Sequence, residues 1–189
     1  MRIIAGKARR LPLRALPGKD TRPTTDRIKE TLFNMLAPEL ENAYFLDLFA
    51  GSGQIGLEAV SRGSAYCVLV DNNRRACEVI EDNMQFTKLA DQCLLMNTDC
   101  MSALRRLEGK YRFDVIFMDP PYNQNLEPEI LQYLSRSTLV KSGTSIIVEA
   151  DEHTDFSYAG ALGYTLQKEK LYKTNKHVFL TLKQKEDDA

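Results

Sequence analysis

The sequence predicts an α/β fold with a mostly parallel sheet, and two observations support this. Short apolar runs, typical of buried strands, alternate with segments whose apolar residues recur every three or four positions, as in helices. Strands that alternate with helices form a parallel sheet covered on both faces. In addition, only a short Lys-rich connection, residues 168–176, separates the last two strands, so we expect these two to form an antiparallel hairpin.

The predicted elements follow one another without a repeat or a low-complexity linker. The predicted strands cover residues 44–49, 66–70, 93–96, 113–118, 144–149, 163–167 and 177–182. The predicted helices cover about 26–37, 53–61, 74–87, 101–107 and 128–135. Thr24 or Thr25 is the expected N-cap of the first helix, and Pro38 is expected to end it. Before this helix, Ile3, Gly6 and Leu11 predict short strands and turns in a small hairpin-like extension.

Length and composition are those of an ordinary globular protein. The 189 residues are 43% hydrophobic and 27% charged, which suits one domain with a small appendage. The chain contains no apolar run of the ~20 residues that would cross a membrane. Its start lacks the apolar core of a signal peptide, so we expect a cytoplasmic protein. The four cysteines lack C-x-x-C spacing and only two histidines occur, so we expect reduced thiols and no metal site.

The first thirty residues are strongly basic. They contain nine Lys or Arg against three Asp or Glu, whereas the whole chain has a net charge of -1. Such an arm on an acidic body favours a polyanionic partner, since phosphate contacts supply most non-specific nucleic-acid affinity. A solvated surface is the alternative. The last residues, 184–189, are charged and are expected to be a disordered tail.

A glycine loop follows the first predicted strand. Gly51, Gly53 and Gly56 are spaced as in the G-x-G-x-x-G fingerprint, which lets backbone approach a ligand above a helix N-terminus. The fingerprint also occurs in dinucleotide-binding proteins, so a nicotinamide-dependent oxidoreductase must be weighed. Ligands of open α/β sheets bind at the carboxyl ends of the strands.

An acid stands at the end of each of the first three strands. Asp47 could face an ammonium group, Asp71 the two hydroxyls of a ribose, and Asp99 the amine of an adenine. Each could instead be a helix cap or a surface acid, and for Asp99 this alternative is as strong as the functional one. Together the three acids suit S-adenosylmethionine. NAD would need room for a pyrophosphate, which Asp47 would repel.

The turn Asp119-Pro120-Pro121-Tyr122 follows the fourth strand. Proline cannot continue a strand ladder and restricts the residue before it, so the turn is stiff. It presents a carboxylate, backbone carbonyls and an aromatic ring, which suit a planar group that carries an amine. The alternative is an ordinary turn that ends a strand.

These motifs together resemble a known family. The start MRIIAGKARR, the helix RPTTDRIKETLFNML, the loop DLFAGSGQIGLEA, the turn VDNN and the turn DPPY are similar to those of class I S-adenosylmethionine-dependent methyltransferases. Among these, the chain most resembles the RsmD-type enzymes, which methylate the exocyclic N2 of a guanine in 16S ribosomal RNA of the small subunit. The resemblance spans roughly the whole chain, and its N-terminal motifs are the most specific.

The resemblance implies a Rossmann-like, seven-stranded, mostly parallel sheet with a reversed last strand. It implies a basic RNA-binding extension at 1–22 and a methyltransferase domain at 23–183. It also implies a monomer that acts on small-subunit ribosomal RNA or the assembling subunit. The implied catalytic residues are Asp119, Pro120, Pro121 and Tyr122. The implied cofactor-binding residues are Asp47, Phe49, Ala50, Gly51, Ser52, Gly53, Asp71, Asn72, Asp99, Cys100 and Asp119. The predicted RNA-binding residues are Arg2, Arg9, Arg10, Arg22 and Arg27.

Two further readings stay open at this point. A DNA or RNA adenine-N6 methyltransferase would use the same Asp119-Pro120-Pro121-Tyr122 turn on another base, although no separate target-recognition domain is evident. A non-catalytic RNA-binding ribosome assembly factor would have the same fold but would not transfer methyl groups.

Overall fold

The fold is described by a computed structural model, which covers residues 1–16, 25–121 and 124–183. The predicted domain boundary after residue 22, the predicted tail 184–189, and the predicted site residues Arg22 and Tyr122 lie outside the described residues. The chain forms two compact units, Met1–Arg106 and Leu107–Ala189. The predicted extension belongs to the first of these units.

Five α-helices and seven strands follow one another in the described residues. The helices are α1 (Asp26–Leu40), α2 (Gln54–Ser61), α3 (Arg74–Thr87), α4 (Cys100–Leu107) and α5 (Leu126–Leu134). The strands are β1 (Tyr44–Asp47), β2 (Tyr66–Asp71), β3 (Cys93–Asn97), β4 (Phe113–Met118), β5 (Val140–Asp151), β6 (Tyr164–Leu171) and β7 (Asn175–Leu182). Short 3₁₀ helices cover Ala90–Gln92 and Ser157–Gly160.

In the first unit the strands lie in the order β3-β2-β1, and both strand pairs are parallel. The central strand β2 is covered on both faces, since the four residues from Cys67 to Val70 are fully buried. Helix α2 packs against β1 and β2, and helix α3 against β2 and β3. The carboxyl ends of the three strands therefore share one edge.

In the second unit the order is β4-β5-β7-β6. Strand β5 is parallel to β4, whereas β7 runs antiparallel to both β5 and β6. The seven strands belong to one mixed sheet in which the last strand is reversed. The predicted sheet, with its final antiparallel hairpin, is confirmed. Strand β5 begins earlier than predicted because Val140 pairs with Phe113 before a register shift in the ladder.

Helix α1 begins where the sequence predicts. Thr25 is its N-cap, and the Thr25 hydroxyl accepts a hydrogen bond from the Ile28 amide at 3.3 Å. The prediction that Pro38 ends the helix is wrong, because α1 continues to Leu40. A proline this near the C-terminus removes one backbone bond, to the carbonyl of Asn34, which lies on the exposed face. Leu40 is 2% exposed, and its burial holds the last turn in place.

The N-terminal arm, residues 1–14, forms a hairpin-like loop that is fixed to the first unit. Arg2 and Pro12 form an isolated antiparallel bridge, and the Ile3 amide donates to the Leu11 carbonyl at 3.0 Å. Ile3, Ala8 and Leu13 are buried. The predicted hairpin-like shape is therefore present, and apolar contacts tie it to the body.

Candidate functional site

The glycine loop, residues 50–53, joins β1 to α2 and is fixed to the end of β2. The Ala50 amide donates to the Val70 carbonyl at 2.9 Å, and the Gly51 amide donates to Asp71 Oδ2 at 2.8 Å. Gly53 is the N-cap of α2 with φ of 77°, a left-handed conformation that glycine adopts at little cost. The loop thus presents backbone groups at the N-terminus of a helix, where a ligand can approach closely.

Asp47 is a buried carboxylate beneath this loop. It is 1% exposed, and its Oδ2 accepts a hydrogen bond from the Gly56 amide at 3.1 Å. Its Oδ1 is buried and has no hydrogen-bond partner among the described residues. Burial raises the pKa of Asp47 to about 7. The amides of Gly56 and Phe49 oppose this rise, whereas the charge of the nearby Asp71 adds to it. A cationic ligand group would give Oδ1 a partner and stabilise the charged form.

Asp71 ends β2 and shapes the loop beside Asp47. Its Oδ2 accepts from the Gly51 amide and its Oδ1 accepts from the Asn73 amide, both at 2.8 Å. Burial raises the pKa of Asp71, and these two amides oppose the rise. Each carboxylate oxygen accepts more than one hydrogen bond, so both remain able to accept a hydroxyl. The neighbouring Asn72 is exposed.

Asp99 caps a helix, which is the structural alternative that the sequence left open. Its Oδ1 accepts a hydrogen bond from the Ser102 amide at 2.8 Å, as a helix cap does at the start of α4. These hydrogen bonds from Ser102 lower the pKa of Asp99. Asp99 is exposed, and the following Cys100 is buried. The predicted contact with adenine stays a prediction.

Ser52 and Gln54 complete the loop, and sequence reasoning missed Gln54. Ser52 is 9% exposed, whereas Phe49 is half-buried. Gln54 is 8% exposed and its Oε1, like Asp47 Oδ1, has no hydrogen-bond partner among the described residues. Two buried acceptors without donors on neighbouring elements are what a ligand with several N–H groups would satisfy. The position of Gln54 directly after Gly53 was the only signal in the sequence.

Four of the five predicted RNA-binding arginines are described, and all four are exposed: Arg2, Arg9, Arg10 and Arg27. Arg2 pairs with Asp26 at 3.0 Å on the surface. Arg10 stands in the turn of the N-terminal arm with φ of 72°. The arm thus buries its apolar residues and turns its guanidinium groups to solvent, as a phosphate-binding surface requires.

The predicted acceptor turn directly follows β4 in the second unit. Asp119 is half-buried, Pro120 is buried and Pro121 is exposed. Met118 pairs with Val148 as the last pair of the β4–β5 ladder. Asp119 and Glu149 are therefore the residues that directly follow the last pair of this parallel ladder.

A buried polar network, which sequence reasoning missed, surrounds Glu149. Glu149 Oε1 accepts from Asn175 Nδ2 at 2.6 Å, and Oε2 lies 3.1 Å from His177 Nε2. His177 Nδ1 lies 3.2 Å from the hydroxyl of Tyr172. Burial, with the charge of Glu149, raises the pKa of Tyr172 to about 12, so its phenol keeps its proton. The network joins β5 to β7 and to Tyr172.

The described residues contain no group of three His, Cys, Asp or Glu side chains that could hold a metal ion. Cys67, Cys77, Cys93 and Cys100 form no disulfide bonds. In the part of the chain that the structure describes, no helix combines the length and apolar character needed to cross a membrane.

Comparison with known proteins identifies the family. The sequence model of the family described as "Conserved hypothetical protein 95" matches residues 1–181. The chain belongs to this family. Two curated relatives are named ribosomal RNA small subunit methyltransferase D. The one from Haemophilus influenzae is 34% identical over 171 residues, covering 90% of this chain and 88% of its own. The one from Escherichia coli K12 is 35% identical over 173 residues, covering 90% and 84%.

Solved structures share the fold. A candidate methyltransferase from Escherichia coli is 32% identical, with a TM-score of 0.83 over 98% of this chain and 99% of that chain. An RNA methyltransferase from Salinibacter ruber, solved with S-adenosyl-L-homocysteine, is 16% identical, with a TM-score of 0.64 over 89% and 98%. The predicted resemblance to RsmD-type enzymes and the Rossmann-like methyltransferase fold with helices on both faces are confirmed. Family membership sets aside the nicotinamide-dependent oxidoreductase.

Proposed function

We propose that the protein transfers a methyl group from S-adenosylmethionine to the N2 amine of a guanine in 16S ribosomal RNA. The relatives named for methylation of small-subunit ribosomal RNA support the general activity. One structural observation carries the assignment of the cofactor end: the buried Asp47 has an oxygen without a partner beneath a glycine loop that Asp71 holds in place. An S-adenosylmethionine molecule supplies the matching cationic amino group and ribose hydroxyls.

In this proposal the first unit binds the cofactor. Asp47 Oδ1 accepts the ammonium group, since an unpartnered buried carboxylate is costly until it is paired. Asp71 accepts the ribose hydroxyls through the lone pairs that its two backbone amides leave free. The backbone from Phe49 to Gly53 lies close to the cofactor, and Asn72, Asp99 and Cys100 are assigned to the adenine side.

The second unit is assigned to the acceptor base, through Asp119 to Tyr122. The amine of a purine is a poor nucleophile because its lone pair is delocalised into the ring. Hydrogen bonds from the amine to the Asp119 carboxylate and the Pro120 carbonyl would localise that pair and direct it at the methyl group. Bound S-adenosylmethionine would supply the methyl group, with its sulfur as the leaving group, and the methylated amine would then lose a proton. Such positioning can contribute about 7–11 kcal/mol, of which this turn needs to supply only a part.

Tyr122 is proposed to stack on the extruded base, a contact worth roughly 1–3 kcal/mol. The base must leave its stack to reach the turn, as for other enzymes that act on bases. Arg2, Arg9, Arg10, Arg22 and Arg27 are proposed to hold RNA phosphates within the extension 1–22 and the start of the domain 23–183. We further propose a cytoplasmic monomer that acts on ribosomal RNA or the assembling small subunit.

The direct test is transfer of a labelled methyl group to 16S ribosomal RNA from a strain that lacks this modification, followed by digestion and mass spectrometry. We expect N2-methylguanosine. N6-methyladenosine would overturn the guanine assignment, and lack of transfer to any RNA, with RNA binding retained, would favour the assembly-factor alternative.

The role of Asp119 is tested with Asp119→Asn, which removes the charge and preserves the shape. We expect methyl transfer to fall about tenfold, and by more than cofactor affinity falls, because a neutral amide oxygen accepts a weaker hydrogen bond from the amine than a carboxylate does. The matched control is Asp114→Asn, in the strand that precedes Asp119. The Asp114 carboxylate forms an ion pair with Lys141, with an N–O distance of 2.5 Å. Equal activity of Asp119→Asn and the wild type would remove Asp119 from the mechanism.

A further inference from the structure

Asn83, in the middle of helix α3, joins the N-terminal arm to the glycine loop. Its side chain is 1% exposed. Asn83 Oδ1 accepts from the Arg14 amide at 2.8 Å, and Nδ2 donates to the Arg14 carbonyl at 3.1 Å. The same Nδ2 donates to the Ser52 carbonyl at 2.9 Å. One amide group thus pairs with both backbone groups of an arm residue and with the backbone of the loop.

The arm that Asn83 contacts is also hydrogen-bonded to helix α2. The amides of Ile4 and Ala5 donate to the carboxylate of Glu58 in α2, at 2.7 and 3.0 Å. The Ser61 hydroxyl accepts from the Ala8 amide at 3.0 Å and donates to the Ala5 carbonyl at 2.6 Å. A Cβ on Gly6 would lie 1.7 Å from the Ser61 carbonyl oxygen, so the backbones touch there.

The arm also contacts the loop directly. The Ser52 hydroxyl donates to the sulfur of Met1 at 3.4 Å. Ser52 is therefore held through its carbonyl by Asn83 and through its hydroxyl by the arm itself. A movement of the arm would therefore disturb the hydrogen bonds of both the carbonyl and the hydroxyl of Ser52.

We propose that Asn83 is a positioning residue that makes the N-terminal arm part of the cofactor site, so that cofactor affinity depends on the docked arm. The proposal rests on the proposed function, in which the glycine loop binds S-adenosylmethionine and the arm binds RNA. Asn83 orients the Ser52 carbonyl, and with it the peptide planes of residues 51–53 that face the cofactor. Energetic coupling of this kind is reciprocal, so the cofactor also strengthens the docking of the arm.

An amide is the side chain that this position requires. It must accept one hydrogen bond and donate two, which neither a carboxylate nor a hydrocarbon can do. Asn83→Asp keeps the acceptor for the Arg14 amide but faces the carbonyls of Arg14 and Ser52 with oxygen. Asn83→Leu keeps the branching and the number of heavy atoms of the side chain, and it loses all three hydrogen bonds.

The first experiment measures the affinity of the full-length protein for S-adenosylmethionine and S-adenosylhomocysteine by calorimetry, well below the unfolding temperature. We expect Asn83→Asp and Asn83→Leu to raise the Kd about tenfold to 100-fold, as for loss of one or two buried hydrogen bonds. The matched control is Gln85→Leu, an exposed amide on the same helix, with unchanged Kd. Wild-type affinity in both folded Asn83 variants would overturn the proposal.

The second experiment needs no variant, and so it decides the question even if Asn83 variants do not fold. Hydrogen exchange of the wild-type protein is compared with and without S-adenosylhomocysteine. We expect slower exchange at the amides of Ile4, Ala5 and Arg14, and no change in the hairpin of β6 and β7. Protection confined to residues 50–56 would overturn the coupling.

The two proposals fail in different ways. If the wild-type protein binds neither S-adenosylmethionine nor S-adenosylhomocysteine, the proposed function is wrong and this inference falls with it. If the wild-type protein binds cofactor and methylates RNA but the arm amides do not respond, only the coupling is wrong.

Discussion

Two buried carboxylates in the first unit, Glu58 and Asp47, differ in how completely their surroundings satisfy them. Glu58 is fully buried and lies 3.6 Å from Lys29 and 2.7 Å from Arg62. It also accepts the two amides of the N-terminal arm. Asp47 is equally buried, yet its Oδ2 accepts from the Gly56 amide and its Oδ1 has no hydrogen-bond partner among the described residues.

The contrast distinguishes a carboxylate whose partners the protein supplies from one that we propose binds a ligand. A buried charge is costly unless it is paired and hydrogen-bonded. Around Glu58 the protein supplies every partner, and Lys29 completes the cluster by donating to the Arg2 carbonyl at 2.5 Å. Around Asp47 one oxygen has no hydrogen-bond partner among the described residues, and burial raises the pKa of this carboxyl.

The largest expected effect is on stability, from Glu58→Gln. The change leaves the buried Lys29 without its counter-ion, and burial already lowers the pKa of Lys29 while Glu58 opposes the fall. We expect the free energy of unfolding to fall by about 3–5 kcal/mol, as for other broken buried pairs. Urea denaturation measures the loss.

The matched control for Glu58 is Glu78→Gln. Glu78 also pairs with an arginine four residues away, Arg74, but both side chains are exposed. Such a pair contributes roughly 0.3–0.5 kcal/mol. Equal losses in the two variants would show that the Glu58 cluster does not stabilise the arm junction, and the contrast with Asp47 would lose its basis.

Asp47→Asn is expected to weaken cofactor binding and to stabilise the free protein. Loss of a buried charge partner should weaken S-adenosylmethionine binding by about 2–5 kcal/mol. The asparagine still accepts from the Gly56 amide but carries no buried charge. At pH 8 the variant should therefore be more stable than the wild type by up to about 4 kcal/mol, at about 1.4 kcal/mol per pKa unit.

The sign of this second effect depends on pH. The folded pKa of Asp47 is about 7, above its ordinary value of 3.8. Below pH 3.8 the Asp47 carboxyl is protonated in both the folded and the unfolded protein, so it does not lower the free energy of unfolding. As pH rises towards 7 the unfolded chain ionises first, so the wild type loses stability relative to Asp47→Asn across that window.

Calorimetry and urea denaturation at pH 4, 6 and 8 measure both effects, with the exposed Asp91→Asn as the control. The affinity of the wild type for S-adenosylmethionine should rise with pH up to about 7, because the ammonium pairs with the ionised carboxylate. A variant that binds cofactor normally, or that is less stable than the wild type at pH 8, would contradict the assigned role.

The smallest expected effect concerns Asp99, the third predicted cofactor acid. Asp99→Ala should cost about 1 kcal/mol of stability by removing the cap of α4, whereas Asp99→Ser keeps a capping oxygen. If Asp99 also contacts the adenine amine, both variants weaken cofactor binding to a similar degree. If only the alanine variant weakens cofactor binding, and its loss of binding is explained by its loss of folding stability, Asp99 acts only as a helix cap.

Local patterns predicted the elements well, because strand and helix periods are written in neighbouring residues. The strands β4 and β7 and the helices α2 and α3 lie within two residues of their predicted bounds. The prediction failed where distant contacts decide. Helix α1 continues past Pro38 because Leu40 is buried. Strand β5 begins before its predicted start because Val140 pairs with Phe113 of the neighbouring strand.

The candidate site was predicted by residue type and position, but the environments of its residues were not. Asp47, Asp71 and Asp99 read alike in the sequence, each an acid after a strand. The structure distinguishes them by burial and by the number of donors around each. Glu149 and Asn83 gave no readable signal, since the hydrogen-bond partners of their side chains are 26 to 69 residues away along the chain.

The sequence by itself determined the fold class, the glycine loop and the family, because these depend on local spacing and on motifs that adjoin one another. Only the tertiary structure decided which carboxylates are satisfied and which are not, and that the basic arm is docked through Glu58 and Asn83. The physical reason is that desolvation and hydrogen bonding depend on neighbours in space, which folding brings together from distant parts of the chain.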